Sequence, residues 1–330
     1  MIHRSRCRLA LVLSISLVVA FQSLLAFSVP ISESNVRDLE EIDSWSTQGV
    51  PVLALEVSQD GSRIFGTRGN LVTIREVATG AILDSWQADP SFAAALDVSP
   101  DETLLATAGS DESVNIWDVA TGNRIRRLYP AGTHTVAFSP DGQEIASGGR
   151  PGILRVWNVE TGDLIREIDA GSRMFWVTFS PDGSKLATAH GLPDFAVRLW
   201  DAATGNLIWE SFEHSGDAHA VDFSPNGEKL ASVDGDGHVY VFDVASGQRL
   251  LNLIGHQAPL FQVLFITDAL LASADGSGLI RFWNVETGRW LNTAAIFQSE
   301  VSAINCSPDH EFLAAASFDM RMSLLAIPVD

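Results

Sequence analysis

Beyond Asn35 the chain is a succession of short apolar runs separated by polar breaks rich in Pro, Gly, Asp and Ser. Val136-Ala137-Phe138 leads into Ser139-Pro140-Asp141-Gly142, and Val177-Thr178-Phe179 leads into Ser180-Pro181-Asp182-Gly183. After each break comes a run of small and apolar residues, as in Leu186-Ala187-Thr188-Ala189 and Leu230-Ala231-Ser232-Val233. A third run carries a Trp, and a weaker fourth follows a Thr-Gly pair. Runs this short, bounded by turn residues, predict β-strands rather than helices. Pro and Gly supply the fixed and the permissive backbone angles that the tight turns need.

The pattern repeats. Ile116-Trp117-Asp118-Val119-Ala120-Thr121-Gly122 returns as Val156-Trp157-Asn158-Val159-Glu160-Thr161-Gly162, and three more copies centre on Trp200, Phe242 and Trp283. Degenerate copies stand at Ile74-Arg75-Glu76-Val77-Ala78-Thr79-Gly80 and Leu324-Leu325-Ala326-Ile327. The marker position falls at 75, 117, 157, 200, 242, 283 and 325, at intervals of 42, 40, 43, 42, 41 and 42. Four short strands in a unit of this length form one blade of a β-propeller.

These residues resemble the WD-repeat family of β-propellers, in the form of a bacterial-type exported protein. The resemblance implies an all-β fold: a seven-bladed propeller with four antiparallel strands per blade. Three copies keep the acid after the Trp (Asp118, Asp201) or its substitute (Asp243), while Asn158 and Asn284 replace it. Arg75, Phe242 and Leu325 replace the Trp itself. Family members commonly close the ring with a strand from the other terminus. Here Ile42-Asp43-Ser44-Trp45 matches Leu83-Asp84-Ser85-Trp86 one repeat later, so the N-terminal strand is expected to complete the last blade and cover its open edge.

The first 28 residues differ from the rest. Arg4, Arg6 and Arg8 precede a mostly apolar stretch from Leu9 to Phe27, with small residues at Ala26 and Ser28. That is the order of a secretory signal peptide cut before Val29, with a cut after Ala20 or an uncleaved membrane anchor as alternatives. The expected organisation is 1–28 signal or anchor, 29–35 linker and 36–330 propeller. Length alone would have suggested two domains; the repeat replaces them with one ring. The expected location is exported, whether periplasmic, secreted or at the cell surface, or membrane-tethered if the segment stays. Cys306 would then be the lone cysteine, a small core residue.

Charge narrows the partners. Acidic residues outnumber basic ones 41 to 21, a net −20, which becomes −23 once three arginines leave with the signal. Sequence-independent nucleic-acid binding and docking on anionic lipid both need the opposite sign. Membrane contact is expected only through an uncleaved N-terminal segment. No nucleophile elbow, His-Glu zinc motif, phosphate loop or dinucleotide fingerprint is present. That absence carries less weight in a propeller, whose enzymes assemble sites from separate blades; a non-catalytic chain without cofactor is the expectation.

Three groups of residues bear on chemistry. The resemblance implies a buried network of His, Ser or Thr, Asp and Trp in some blades. His214, Ser232 and Asp236 match it in the fifth, although Phe242 has no donor; His256, Ser273 and Trp283 match it in the sixth, with Ser277 at the Asp place. Bonding rather than nucleophilic chemistry is the expected role. Four residues before the end of each first strand, the resemblance places Leu53, Ala94, His134, Phe175, His219, Phe261 and Ser302 around one mouth of the central channel. Blades three to six thus present imidazole and phenyl groups, with Arg150, Arg173 and Trp176 beside them. Aromatics with Arg are the composition of binding hot spots, and ordinary strand packing is the competing reading. Deeper in the channel, Glu56, Asp97 and Asp222 offer a carboxylate alternative, a cation site or an enzyme. The function expected is a protein- or peptide-binding scaffold that uses the aromatic mouth.

Overall fold

The computed structural model describes residues 29–88, 92–129 and 132–326; the signal or anchor segment lies outside them. Seven sheets of four antiparallel strands stand around an axis. The first blade is Val52–Val57, Arg63–Arg68, Leu71–Glu76 and Ile82–Gln87, from channel to rim. Among the described residues the one helical turn is Val36–Asp38, and no helix is long and apolar enough to cross a membrane.

The turns explain both the motifs and their departures. Ser139 Oγ donates to Asp141 Oδ1 at 2.6 Å and accepts from Glu144 N at 2.9 Å, which ties each Ser-Pro-Asp break to the next strand. After the Trp, Asp118 Oδ1 accepts from Thr121 N at 2.8 Å, and Asn158 Oδ1 accepts from Thr161 N at 2.7 Å. The turn needs only an acceptor oxygen, so Asn for Asp costs little. The Trp packs against the preceding blade: Trp117 joins Phe65, Val72 and Ile74 in one cluster. Its replacements keep that burial. Phe242 and Leu325 are buried, and Arg75 donates from Nη1 to the Gly80 carbonyl at 2.7 Å.

Ring closure follows the expected route. Glu40–Ser46 pairs antiparallel with Arg321–Ala326, with Trp45 opposite Met322. Glu41 reinforces the seam, accepting from Arg321 Nη2 and Ser323 Oγ at 2.6 Å each. Within the stretch 29–35, expected to be a linker, Ile31 packs on the ring. Ile31 and Val36 are buried with Phe282, Phe297 and Leu325 of the last two blades, and Ile31 N donates to His310 O at 2.7 Å. Two apolar side chains in a polar stretch gain more from that groove than from water.

Candidate functional site

In all seven blades the first strand slips register at the same place, around residues 53, 94, 134, 175, 219, 261 and 302. A bulge leaves one residue unpaired and re-aims its side chain. The rim positions inferred from the repeat are therefore the bulge residues; Leu53, Ala94, His134 and Phe175 line the channel, while Ser302 is buried and donates from Oγ to Val52 O at 2.5 Å. Phe175 and His219 meet edge to face at 5.2 Å, and His219 stacks on Phe261 at 4.9 Å and 15°. His219 Nδ1 lies 2.7 Å from Leu260 O, so that nitrogen carries the proton and the ring is held in one tautomer. Arg173 lies over the Phe175 ring, its guanidinium carbon 4.2 Å from the ring centre. The result is a continuous half-buried shelf from Arg173 to Phe261.

Two expected members of this face line the channel but stand outside the ring stack. His134 makes no ring contact with the stack; burial and the charges of Arg173 and Arg150 push its pKa down. Trp176 is turned along the channel and packs against the clusters between blades four, five and six. Arg150 is exposed beside them.

The buried polar networks require a correction. His214 bridges Asp234 Oδ2 at 2.8 Å and Ser232 Oγ at 2.7 Å, not Asp236, which accepts from Ser215 Oγ instead. Asp234 ends the second strand and points inward, whereas Asp236 sits on the turn. Burial works against the Asp234 carboxylate, but hydrogen bonds from His214 and His238 hold its pKa at about 2. The same shift supplies the sixth blade with its acid. Asp275 lies 2.6 Å from His256 Nδ1, Ser273 Oγ lies 2.7 Å from Nε2, and Trp283 Nε1 donates to Ser273 at 2.8 Å. Ser277 only supports Asp275, donating to it at 2.7 Å. Blade four carries a rearranged version that sequence reasoning missed. There His190, at the Asp place, spans Ser172 O at 3.1 Å and Thr188 Oγ1 at 2.8 Å, while Trp200 Nε1 donates to Thr188. Burial pushes the His190 pKa down to about 4. The signal was available: Ser172 stands one repeat before His214, and His190 ends the strand where Asp234 does.

The channel, a cavity of about 620 Å³, is crossed by the carboxyl groups considered for a cation. Their oxygens are already engaged. Glu56 accepts from Val98 N at 2.9 Å, Asp97 from Phe138 N, Asp222 from Phe265 N at 2.7 Å, and Asn305 from Val57 N at 3.2 Å. Each reaches the equivalent amide of the next blade, so these side chains are inter-blade ties. Glu56 and Asp97 also share a hydrogen bond; burial and then the Asp97 charge push Glu56 well up. Burial pushes Asp97 to about 6 and Asp222 to about 7. Among the described residues no group of three or more His, Cys, Asp or Glu side chains is placed to hold a metal ion. Cys306 donates weakly to Phe312 O at 3.4 Å, and burial pushes its thiol up to about 12, out of the reactive range.

Comparison with known proteins agrees with the architecture. The chain is 30% identical over 148 residues to the periodic tryptophan protein 2 homolog of Dictyostelium discoideum, covering 43% of this chain and 16% of that one. It is 30% identical over 174 residues to protein hir1 of Emericella nidulans, covering 44% and 17%. A WD repeat-containing protein, SL1-17 of Schistosoma mansoni, is 34% identical over 162 residues, covering 47% and 52%. The chain thus spans only about a sixth to a half of these relatives' lengths. All three come from eukaryotes, so the bacterial-type part of the expectation gains no support from them. The family model for the IFT122 first beta-propeller matches residues 51–326. On its repeat, its seven four-stranded blades and that match, the chain belongs to the IFT122 first beta-propeller family of WD-repeat proteins.

Proposed function

We infer that this propeller is a non-catalytic scaffold that seats a protein or peptide partner on the aromatic channel mouth, and that it works outside the cytoplasm. The observation that carries the binding reading is the shelf of Arg173, Phe175, His219 and Phe261, offered by bulges rather than buried between blades. Large flat rings bury area at small entropic cost, and a rigid sheet edge holds them in place. The engaged oxygens of Glu56, Asp97 and Asp222 weigh against the cation and enzyme alternative. WD-repeat relatives support a scaffold in general terms. Export rests on the order of charged, apolar and small residues over 1–28. A cut before Val29 leaves Ile31 and Val36 free to dock, and so does one after Ala20.

The test of the face is Phe175→Ala with Phe261→Ala, measured by recovery of a partner with the purified chain. Loss of two such anchors is expected to weaken binding by at least about 30-fold. Unchanged recovery overturns the assignment of the face. Mass measurement of the mature N-terminus in the exported fraction tests the location; an intact Met1 in a cytoplasmic fraction overturns it.

A further inference from the structure

We propose that Glu56 and Asp97 share one proton and together form a proton-dependent clamp on the first three blades, closed while the proton is held and open once it is lost. The clamp lies inside the channel and does not depend on the aromatic mouth.

Placement is the first observation. Glu56 Oε2 accepts from Val98 N at 2.9 Å, and Asp97 Oδ2 accepts from Phe138 N. The amide that Glu56 holds follows Asp97 directly along the chain, so two carboxyl groups meet at one seam. The first ties blade one to blade two, and the second ties blade two to blade three. Asn305 makes the corresponding tie from the last blade to the first, at 3.2 Å from Val57 N, with an amide that cannot titrate. Two adjoining carboxylates repel strongly where water is scarce, and one of such a pair keeps a proton. With Oε2 taken by Val98 N, Glu56 has Oε1 left to carry that proton and donate it to Asp97.

The second observation is the lack of a neutralising base. Among the described residues no Lys or Arg lines the channel. Arg63, on the strand beside Glu56, is committed to Glu102 at 2.5 Å and lies over the Phe65 ring. The other titratable groups around the pair supply no counter-charge. Glu102, in the turn of blade two, lifts Glu56 further, and Asp222 lines the channel from blade five. Cys306 of the last blade is a buried thiol, and His134 of blade three has its own pKa lowered. Burial and then the Asp97 charge lift Glu56 well above its ordinary value, and burial lifts Asp97 to about 6. Both groups therefore bind protons more tightly in the folded ring. Their contribution is full below the ordinary values of 4.5 and 3.8 and is lost as pH rises through the folded ones. Loss of the last proton sets two negative charges at one seam, and both ties weaken together.

The experiment uses the full-length chain carrying Asp222→Asn, which removes the other titrating tie. Proton release on urea unfolding at pH 7 is read with an indicator dye in weak buffer. Glu56→Gln puts a permanent amide donor where the proton stood, and Asp97→Asn does the same from the other side. The Asp222→Asn chain is expected to release about one proton more than the chain with either further substitution. Equal release from all three overturns the proposal. Release that persists with Asp97→Asn and disappears with Glu56→Gln also overturns it, since burial alone would then hold the proton. Either substitution suffices if the other prevents folding. The clamp itself is read by amide exchange at pH 7 and pH 9, corrected for the intrinsic rates. Protection of Val98 N and Phe138 N is expected to fall together by at least about tenfold at pH 9, and to survive in Glu56→Gln. The Phe265 amide, whose tie no longer titrates, serves as the internal control. Loss at only one of the two amides, or an equal loss at Phe265, overturns the clamp.

Discussion

The hydroxyl of Ser273 accepts from Trp283 Nε1 and donates to His256 Nε2, since Asp275 already takes the Nδ1 proton. Ser232 serves only His214, because Phe242 offers no donor. Removing a hydroxyl strands each buried group that it served. Ser273→Ala is therefore expected to cost about 2–4 kcal/mol and Ser232→Ala about 1–2 kcal/mol, by urea denaturation at one pH. Equal losses would show that the Trp bond contributes nothing. Asp222 carries a prediction of another kind. Its folded pKa of about 7 lies above the ordinary 3.8, so the folded state holds the proton more tightly. Its contribution is full below the unfolded value and is lost as pH rises toward 7. Asp222→Asn retains an acceptor for Phe265 N, as Asn305 does for Val57 N in the last blade. The variant is expected to gain on the order of 1–2 kcal/mol above pH 7 and nothing near pH 4, because channel water screens part of the full shift. A gain that is independent of pH would sink this account.

Between elements, the outer strand of one blade leans on the turn of the next. A Cβ at Gly80 would lie 2.1 Å from Trp45 Nε1, and the residue has φ of 66°, a left-handed conformation that suits Gly. Gly80→Ala is expected to cost more than about 2 kcal/mol and to loosen the closing strand first, seen as faster amide exchange from Glu40 to Ser46. Unaltered exchange there would separate the turn from the seam. At this scale the repeat made strands, turns, blade number and closure legible, because each depends on residues at fixed spacing. The bulge, the ties from Asp222 to Phe265 and the docking of Ile31 were not, since they join residues that only the ring brings together. The misplaced Asp236 has a simpler cause. Asp234 is the last residue of its strand and Asp236 stands in the turn beyond it, so the point where the strand ends decides which one faces His214. The site was half legible: the rim positions followed from spacing, while the aim of Trp176 and the stacking of Arg173 on Phe175 required coordinates.

For the whole molecule, closure divides stability into separable parts. Removing residues through Asp38 takes away the buried Ile31 and Val36, at about 1.5–3 kcal/mol each, and leaves the seam in place. Removing residues through Ser46 also strips the strand that pairs with Arg321–Ala326 and exposes that edge. The first deletion is expected to lower the melting temperature of a monomer, and the second to produce aggregation at any temperature, by light scattering. A monomeric, folded product of the second deletion would mean that six blades and a partial seventh suffice. The seam has a consequence in time as well. Glu41 and Arg321 are 280 residues apart, so the strand synthesised first waits for a partner synthesised among the last. At ordinary translation rates of ~5–20 residues per second the wait is roughly 15–60 s, longer than hairpins or blades take to form. Throughout it, a seven-residue strand with Ile42 and Trp45 remains unpaired on the nascent chain. The ring is thus finished by a late, long-range event, and whatever keeps that strand from pairing elsewhere in the interval sets how much of the chain reaches the native state.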